Sequence, residues 1–199
     1  MVIALFRHGL TEENKRKAYL GWNDSPLCPE AMHLSTSKRY ECYFSSDIQR
    51  CITTGGNLFP NREFIRLKNL REMNFGKWEG KTFSDLKDDP LYQSWITDHI
   101  NHSPPEGESF QHFTSRIQVG WDEIADAVIT QNLSSCAVIT HGGVIRTLLS
   151  RFAPEQKPFW EWEVRHDRGF ELVFEKEAFG RENRCTLLQE VPLTANALG

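Results

Sequence analysis

Short apolar runs that stop abruptly at polar corners alternate here with stretches of helical period. That pattern predicts an α/β fold: a three-layer α/β/α sandwich around a mostly parallel central sheet. Three observations carry the prediction. Val2–Phe6 is a continuous apolar run, the pattern of a strand buried on both faces, and it ends at Arg7-His8-Gly9. Cys136–Thr140 repeats the pattern and ends at His141-Gly142-Gly143. Between them Phe110, Phe113, Ile117, Trp121, Ile124 and Val128 recur at three- and four-residue steps, an amphipathic helix of about five turns.

The other elements follow in chain order. Glu41–Ser45 is a second strand candidate that ends at Ser45-Ser46-Asp47, and a helix runs from Asp47 to Leu58, capped by Ser46 or Asp47. Phe64–Leu67 is a weaker third strand, followed by Arg71-Glu72. Residues 75–109 differ in kind: Phe75, Trp78, Phe83, Tyr92 and Trp95 are broken by Pro90 and Pro104-Pro105, with little strand character. They read as an inserted cap lobe over the sheet, its core formed by Trp22, Phe75, Trp78, Tyr92 and Trp95. Ser109 is placed to cap the long helix, and Gly143–Arg151 should spring directly from the fourth strand with Val144, Ile145, Leu148 and Leu149 inward. Phe170–Phe174 and Thr186–Leu188 complete the set of strands.

Composition bounds the function. With 199 residues the chain reads as one domain, 1–199, with the cap lobe at about 75–109. A chain of this size buries roughly 70–75% of the surface its unfolded form exposes, so it needs no disulfide or structural metal. It is 39% hydrophobic and 25% charged, which excludes disorder. Its net charge of −4 argues against a long nucleic acid as partner. That charge is uneven: residues 1–81 hold 13 basic and 9 acidic groups, whereas residues 82–131 hold 2 and 9. An acidic lobe beside a positive half would disfavour multiply charged anions. The five cysteines include no C-x-x-C pair and read as reduced thiols. No stretch reaches the roughly 20 apolar residues of a membrane span. The opening apolar run is too short for a secretion signal, so a soluble, cytoplasmic protein without membrane contact is expected. His99, His102 and His112 lack metal-site spacing and read as solvated or capping, and Trp160 and Trp162 as packing. A P-loop is absent.

Ligands of open α/β sheets gather at the carboxyl ends of the strands. Arg7-His8-Gly9, Ser45-Ser46-Asp47 with Arg50 one turn on, Arg71-Glu72 and His141-Gly142-Gly143 all stand where a strand ends. Parallel strands would bring two histidines, arginines and a glutamate to one edge. Such a set can bind a small dianion, offer an imidazole nucleophile and supply a carboxylic proton. Each residue alone has an ordinary structural explanation, Arg50 as a solvated helix residue and Glu72 as a partner for a nearby lysine.

The agreement in type and place is joined by a resemblance. Arg7-His8-Gly9-Leu10-Thr11-Glu12-Glu13-Asn14 fits R-H-G-x-T-x-x-N, the signature of the histidine phosphatase (phosphoglycerate mutase-like) superfamily. Gly21-Trp22-Asn23-Asp24-Ser25-Pro26-Leu27, Ser45 to Arg50, Leu70 to Gly80, Pro105 to Phe110 with Arg116, and Val138 to Gly143 resemble its further segments in order. The resemblance covers nearly the whole chain. It implies a phosphoglycerate mutase-like fold and metal-independent, cofactor-free hydrolysis of a small phosphomonoester; a monomer or a homodimer is expected, the sequence not deciding between them. His8 resembles the nucleophile that becomes phosphohistidine. Arg7, Arg50 and His141 resemble the cationic pocket, Asn14, Gly21 and Gly142 further phosphate contacts, and Glu72 the proton donor. Phosphoryl transfer spreads charge over equatorial oxygens, so positioning and fixed positive charge supply most of the catalysis.

The stretch Pro26-Leu27-Cys28-Pro29-Glu30-Ala31-Met32-His33 departs from the family pattern and leaves a shortened helix up to Lys38. The compact chain lacks the S-x-W-N of the family's mutases, and Gly107-Glu108-Ser109-Phe110 with Phe159-Trp160 resembles small phosphatases, including those acting on α-ribazole phosphate. A mutase-type transferase and a non-catalytic phosphate-binding module are the alternatives, the latter weakened by the presence of both His8 and Glu72.

Overall fold

The opening apolar run forms a strand inside the sheet, because every one of its side chains finds a hydrophobic partner on one face or the other. The computed structural model describes residues 1–176, 179 and 183–195. Its strands are β1 (Val2–Arg7), β2 (Leu34–Ser35), β3 (Cys42–Ser46), β4 (Ile65–Leu67), β5 (Ser135–Thr140), β6 (Arg168–Val173), β7 (Leu187–Pro192) and β8 (Thr194–Ala195). The α-helices are α1 (Glu12–Lys15), α2 (Gln49–Leu58), α3 (Phe83–Leu86), α4 (Pro90–Thr97), α5 (Phe110–Thr130) and α6 (Gly142–Phe152). The main sheet has the order β4-β3-β5-β1-β6-β7. The first four strands run parallel, and β6 and β7 are antiparallel. This is the α/β fold expected.

Strand alternation sorts the core into two layers. Ile3 and Leu5 of β1, with Cys136 and Val138 of β5, face α5 and α6. Ala4, Phe6, Ala137 and Ile139 face Cys51 and Leu58 of α2. On the first face Trp121 stacks on Phe152, ring centroids 4.2 Å apart, and Ile117, Ile124 and Val128 are fully buried. Each such side chain contributes about 1.5–3 kcal/mol by leaving water. Ser109 caps α5 by accepting from the His112 N–H at 3.2 Å.

Several boundaries differ from the sequence expectation. Helix α2 starts at Gln49, with Ile48 in the cap position, because the Asp47 carboxylate is drawn off by the Arg71 guanidinium (2.7 and 2.6 Å). Strands β6 and β7 are longer than their apolar cores, since the pairing of Arg168 with Pro192 continues the ladder through polar residues. The stretch expected as a shortened helix is a 3-10 turn, Pro29–His33, leading to β2, which pairs with β8.

Within 75–109, Trp78, Leu86, Tyr92 and Trp95 join the hydrophobic cluster that contains Phe113 and Ile117. Trp22, expected among them, is instead 42% exposed. Its indole N–H donates to the Glu72 carbonyl (2.9 Å) and the Arg71 guanidinium lies over its ring.

Candidate active site

Strands β1, β3 and β5 are parallel and in register, so their carboxyl ends stop at one level. Arg7 stands opposite Thr140, and the His8 N–H donates to the Thr140 carbonyl at 2.9 Å. Ser46, His141 and the first turns of α2 and α6 meet at the same edge. The fold therefore brings His8, Arg7, Arg50, His141 and Gly142 together from three separate strand ends.

His8 is buried, and its Nδ1 lies 2.8 Å from the Gly9 carbonyl. A carbonyl only accepts, so Nδ1 carries the proton and Nε2 keeps its lone pair. Burial, then the charges of Arg50 and Arg7, holds the imidazole pKa well below its usual 6.5. His8 is thus a neutral imidazole at pH 7 with its lone pair on Nε2.

Arg50 is buried with both terminal nitrogens engaged. Nη2 donates to the Gly21 carbonyl (2.7 Å) and to His141 Nδ1 (3.1 Å), and Nη1 donates to the Asn23 carbonyl (2.8 Å). Arginine has no acceptor, so His141 Nδ1 accepts and its Nε2–H donates to Ser46 Oγ at 2.9 Å. His141 was expected as a cation of the pocket. Burial and the neighbouring Arg50 hold its pKa well below 6.5, so it is neutral and steadies the guanidinium.

Arg7 donates from Nη1 to the Val164 carbonyl (2.7 Å), and burial lowers its pKa to about 10, still cationic at pH 7. A Cβ at Gly142 would stand 3.3 Å from the Arg7 Cζ and Nε, so glycine there lets the guanidinium lie against the start of α6. Gly21 serves through its carbonyl, because its N–H is already donated to Glu79. Among buried polar atoms, Arg7 Nε, Arg50 Nε and Asn14 Oδ1 lack a partner among the described residues. Leaving a buried polar group unpaired costs about 1–3 kcal/mol, so such atoms gathered at one edge mark a place made for a polar ligand.

Glu72 faces this cluster from the segment after β4. Its Oε2 accepts the Gly143 N–H (2.9 Å) and its Oε1 the Met73 N–H (3.0 Å). Its carbonyl takes the Trp22 indole and an Arg116 N–H (3.2 Å), and Arg116 is itself held by Glu108. Carboxylate and main chain are both fixed, the requirement for a directed proton transfer.

The chain matches the histidine phosphatase superfamily (branch 1) over residues 3–179. It belongs to that superfamily. The sequence is 32% identical over 162 residues to the adenosylcobalamin/alpha-ribazole phosphatase of Salmonella typhimurium, covering 76% of this chain and 79% of the relative. The fold is similar to that of the alpha-ribazole phosphatase from Shigella flexneri, with a TM-score of 0.79 at 23% identity over 100% of this chain and 98% of the other. Similarity to the phosphoglycerate mutase of Bacillus anthracis is lower, with a TM-score of 0.65 at 24% identity over 75% of this chain and 79% of the other.

In this histidine phosphatase a cavity of about 260 Å³ opens beside Arg7, Asn14, Glu72 and Gly143. Its far walls are mostly aromatic and include Tyr19, Phe75, Trp95, Phe110, Phe159 and Trp160. Arg146 lies over Phe159 and Trp160 and donates from Nε to the Trp162 carbonyl at 3.0 Å. Two residues differ here from expectation. His99, read as solvated or capping, packs edge-on against Phe110 and Trp160 in the cavity wall. Trp160, read as packing, is 58% exposed at the rim.

His166 is a further site neighbour that no sequence motif marks. Its Nδ1–H donates to the His8 carbonyl at 2.7 Å, and its ring lies edge-on to that of His8. Burial and the Arg7 charge lower its pKa to about 4, so it too is neutral at pH 7. Nothing in the sequence around it signals that contact, which spans 158 positions. Among the described residues no helix is long and apolar enough to cross a membrane.

Proposed function

We propose that the protein hydrolyses small phosphomonoesters through a phosphohistidine on His8, with an ester of an aromatic ribonucleoside such as α-ribazole 5′-phosphate as the fitting substrate. The observation that carries this reading is the His8 tautomer: Nδ1–H is tied to the Gly9 carbonyl, which leaves Nε2 as a lone-pair nucleophile within the field of the buried Arg50 and the half-buried Arg7. Nε2 attacks phosphorus, and the ester P–O bond breaks. Glu72 gives its proton to the departing oxygen, then takes one from the water that cleaves the P–N bond. Inorganic phosphate leaves and the lone pair returns to Nε2. Arg7 and Arg50 hold the equatorial oxygens, with Asn14 and Gly142 at the start of α6 as further contacts. The aromatic cavity supports the choice of leaving group, as do relatives named for alpha-ribazole phosphatase.

The test is phosphate release from p-nitrophenyl phosphate, 3-phosphoglycerate and α-ribazole 5′-phosphate in the presence of a chelator. Activity should survive chelation, vanish in His8→Ala, and leave acid-labile, alkali-stable phosphate on the wild-type protein. Activity that needs a divalent metal, or that persists in His8→Ala, overturns the reading.

A further inference from the structure

Glu79 takes no part in the chemistry above, yet its carboxylate accepts four main-chain N–H groups. Gly21 and Asn23 donate to Oε2 at 2.9 and 3.2 Å, and Trp22 and Phe75 to Oε1 at 2.9 and 3.0 Å. Charge-assisted bonds of this kind are roughly twice as strong as neutral ones.

What those amides are attached to matters more than their number. The Trp22 N–H shares a peptide unit with the Gly21 carbonyl, and that carbonyl holds Arg50 Nη2 at 2.7 Å. A single peptide dipole therefore lies between an anion and a cation, its N–H toward Glu79 and its oxygen toward Arg50. Each bond polarises the other. The next carbonyl but one, that of Asn23, holds Arg50 Nη1 at 2.8 Å. From the same loop the Trp22 indole holds the Glu72 carbonyl at 2.9 Å. The fourth amide, that of Phe75, anchors the carboxylate to the chain just beyond Glu72.

The loop has no slack. A Cβ at Gly21 would stand 2.0 Å from the Met73 carbonyl and 2.4 Å from Glu79 Oε1.

We propose that Glu79 is a positioning residue: through the 21–24 loop it fixes the arginine that holds the phosphate relative to the glutamate that moves the proton. The inference rests on the roles proposed for Arg50 and Glu72. A carboxylate is required at position 79 because both of its oxygens receive donors. An amide of the same shape offers one oxygen and turns its own N–H groups toward two of the four amides.

The test uses Glu79→Gln and Trp22→Phe in the full chain. Phosphate binding is measured by calorimetry, kcat and KM on p-nitrophenyl phosphate, and folding by circular dichroism. In folded Glu79→Gln, phosphate should bind about tenfold more weakly and kcat should fall by about 10- to 100-fold, the cost of a displacement near 1 Å. In an Arg50→Ala background the binding loss caused by Glu79→Gln should disappear, because the effect runs through that arginine. Trp22→Phe keeps the loop but loses the indole bond, so kcat should fall severalfold with phosphate affinity unchanged. Trp22→Phe answers the question even where Glu79→Gln does not fold.

Phosphate affinity and kcat within twofold of wild type in folded Glu79→Gln overturns the proposal. So does a binding loss that persists undiminished in Arg50→Ala, or an unchanged kcat in Trp22→Phe. Calorimetry reads the loop–arginine coupling without turnover, so failure of the proposed reaction shows separately, as activity retained in His8→Ala.

Discussion

Adding one methyl group at Gly143 separates proton donation from phosphate binding. A Cβ there would stand 2.3 Å from Glu72 Oε1 and 3.2 Å from its Cδ, where ordinary contact begins at 3.4 Å. The Phe113 ring, its Cζ 3.0 Å away, must also give by a few tenths of an ångström, and the carboxylate, the closer and more flexible obstacle, moves by about 1 Å. Its bond from the Gly143 amide, 2.9 Å to Oε2, is lost or stretched in the process. A 1 Å error in a reacting group costs about 100-fold in rate. Stability should change by no more than about 1 kcal/mol, because strain against the buried Phe113 ring offsets the better helix propensity of alanine. The assay compares kcat of Gly143→Ala on an alkyl phosphate and on p-nitrophenyl phosphate, with inhibition by inorganic phosphate and thermal unfolding alongside. The defect should be largest on the alkyl ester, whose leaving group needs a proton, with phosphate inhibition changed less than threefold. A kcat within threefold of wild type on the alkyl ester, or equal losses on both esters, would refute the role given to Glu72.

Two further outcomes follow from the geometry. His166 has its pKa lowered to about 4, so the unfolded chain binds its proton first as pH falls through 6.5. Its stabilising contribution is complete above pH 6.5 and is lost between there and about 4, by at most about 3 kcal/mol. The urea midpoint of wild type should therefore drop more between pH 7 and pH 4.5 than that of His166→Gln, and parallel pH curves would contradict this. Trp160→Ala should raise KM for aryl phosphates by about tenfold, the worth of a lost ring contact, and leave glycerol phosphate within twofold. An equal rise for both esters would remove Trp160 from leaving-group recognition.

Much of this arrangement could be read from sequence because it is local. Val2–Phe6 and Cys136–Thr140 are strands whose burial shows in composition alone, and the polar corners after them form the candidate site. The period of Phe110 to Val128 likewise needs no partner to be seen. What escaped depends on distant atoms. Asp47 looks like a helix cap until Arg71, 24 positions on, takes its carboxylate. His166 reaches His8 only because β6 runs antiparallel beside β1. His99 meets Trp160 in the cavity wall, 61 positions away in the chain, and Glu79 meets the 21–23 amides through a loop closure that no periodicity records. The neutral state of His141 escapes the sequence for a related reason: burial, which decides it, is a property of the fold.

The bond from His8 Nδ1 to the Gly9 carbonyl bears on the lifetime of the proposed phosphohistidine. A carbonyl cannot take the proton, so an imidazole phosphorylated on Nε2 stays an N-phosphorylated imidazolium, its positive charge shared with the oxygen 2.8 Å away. Such a ring departs from phosphorus as a neutral molecule and needs no proton to do so. The contact that orients the nucleophile for attack thus keeps the P–N bond activated for cleavage. A phosphohistidine formed here is labile by construction, suited to hand its phosphoryl group to water rather than to store it.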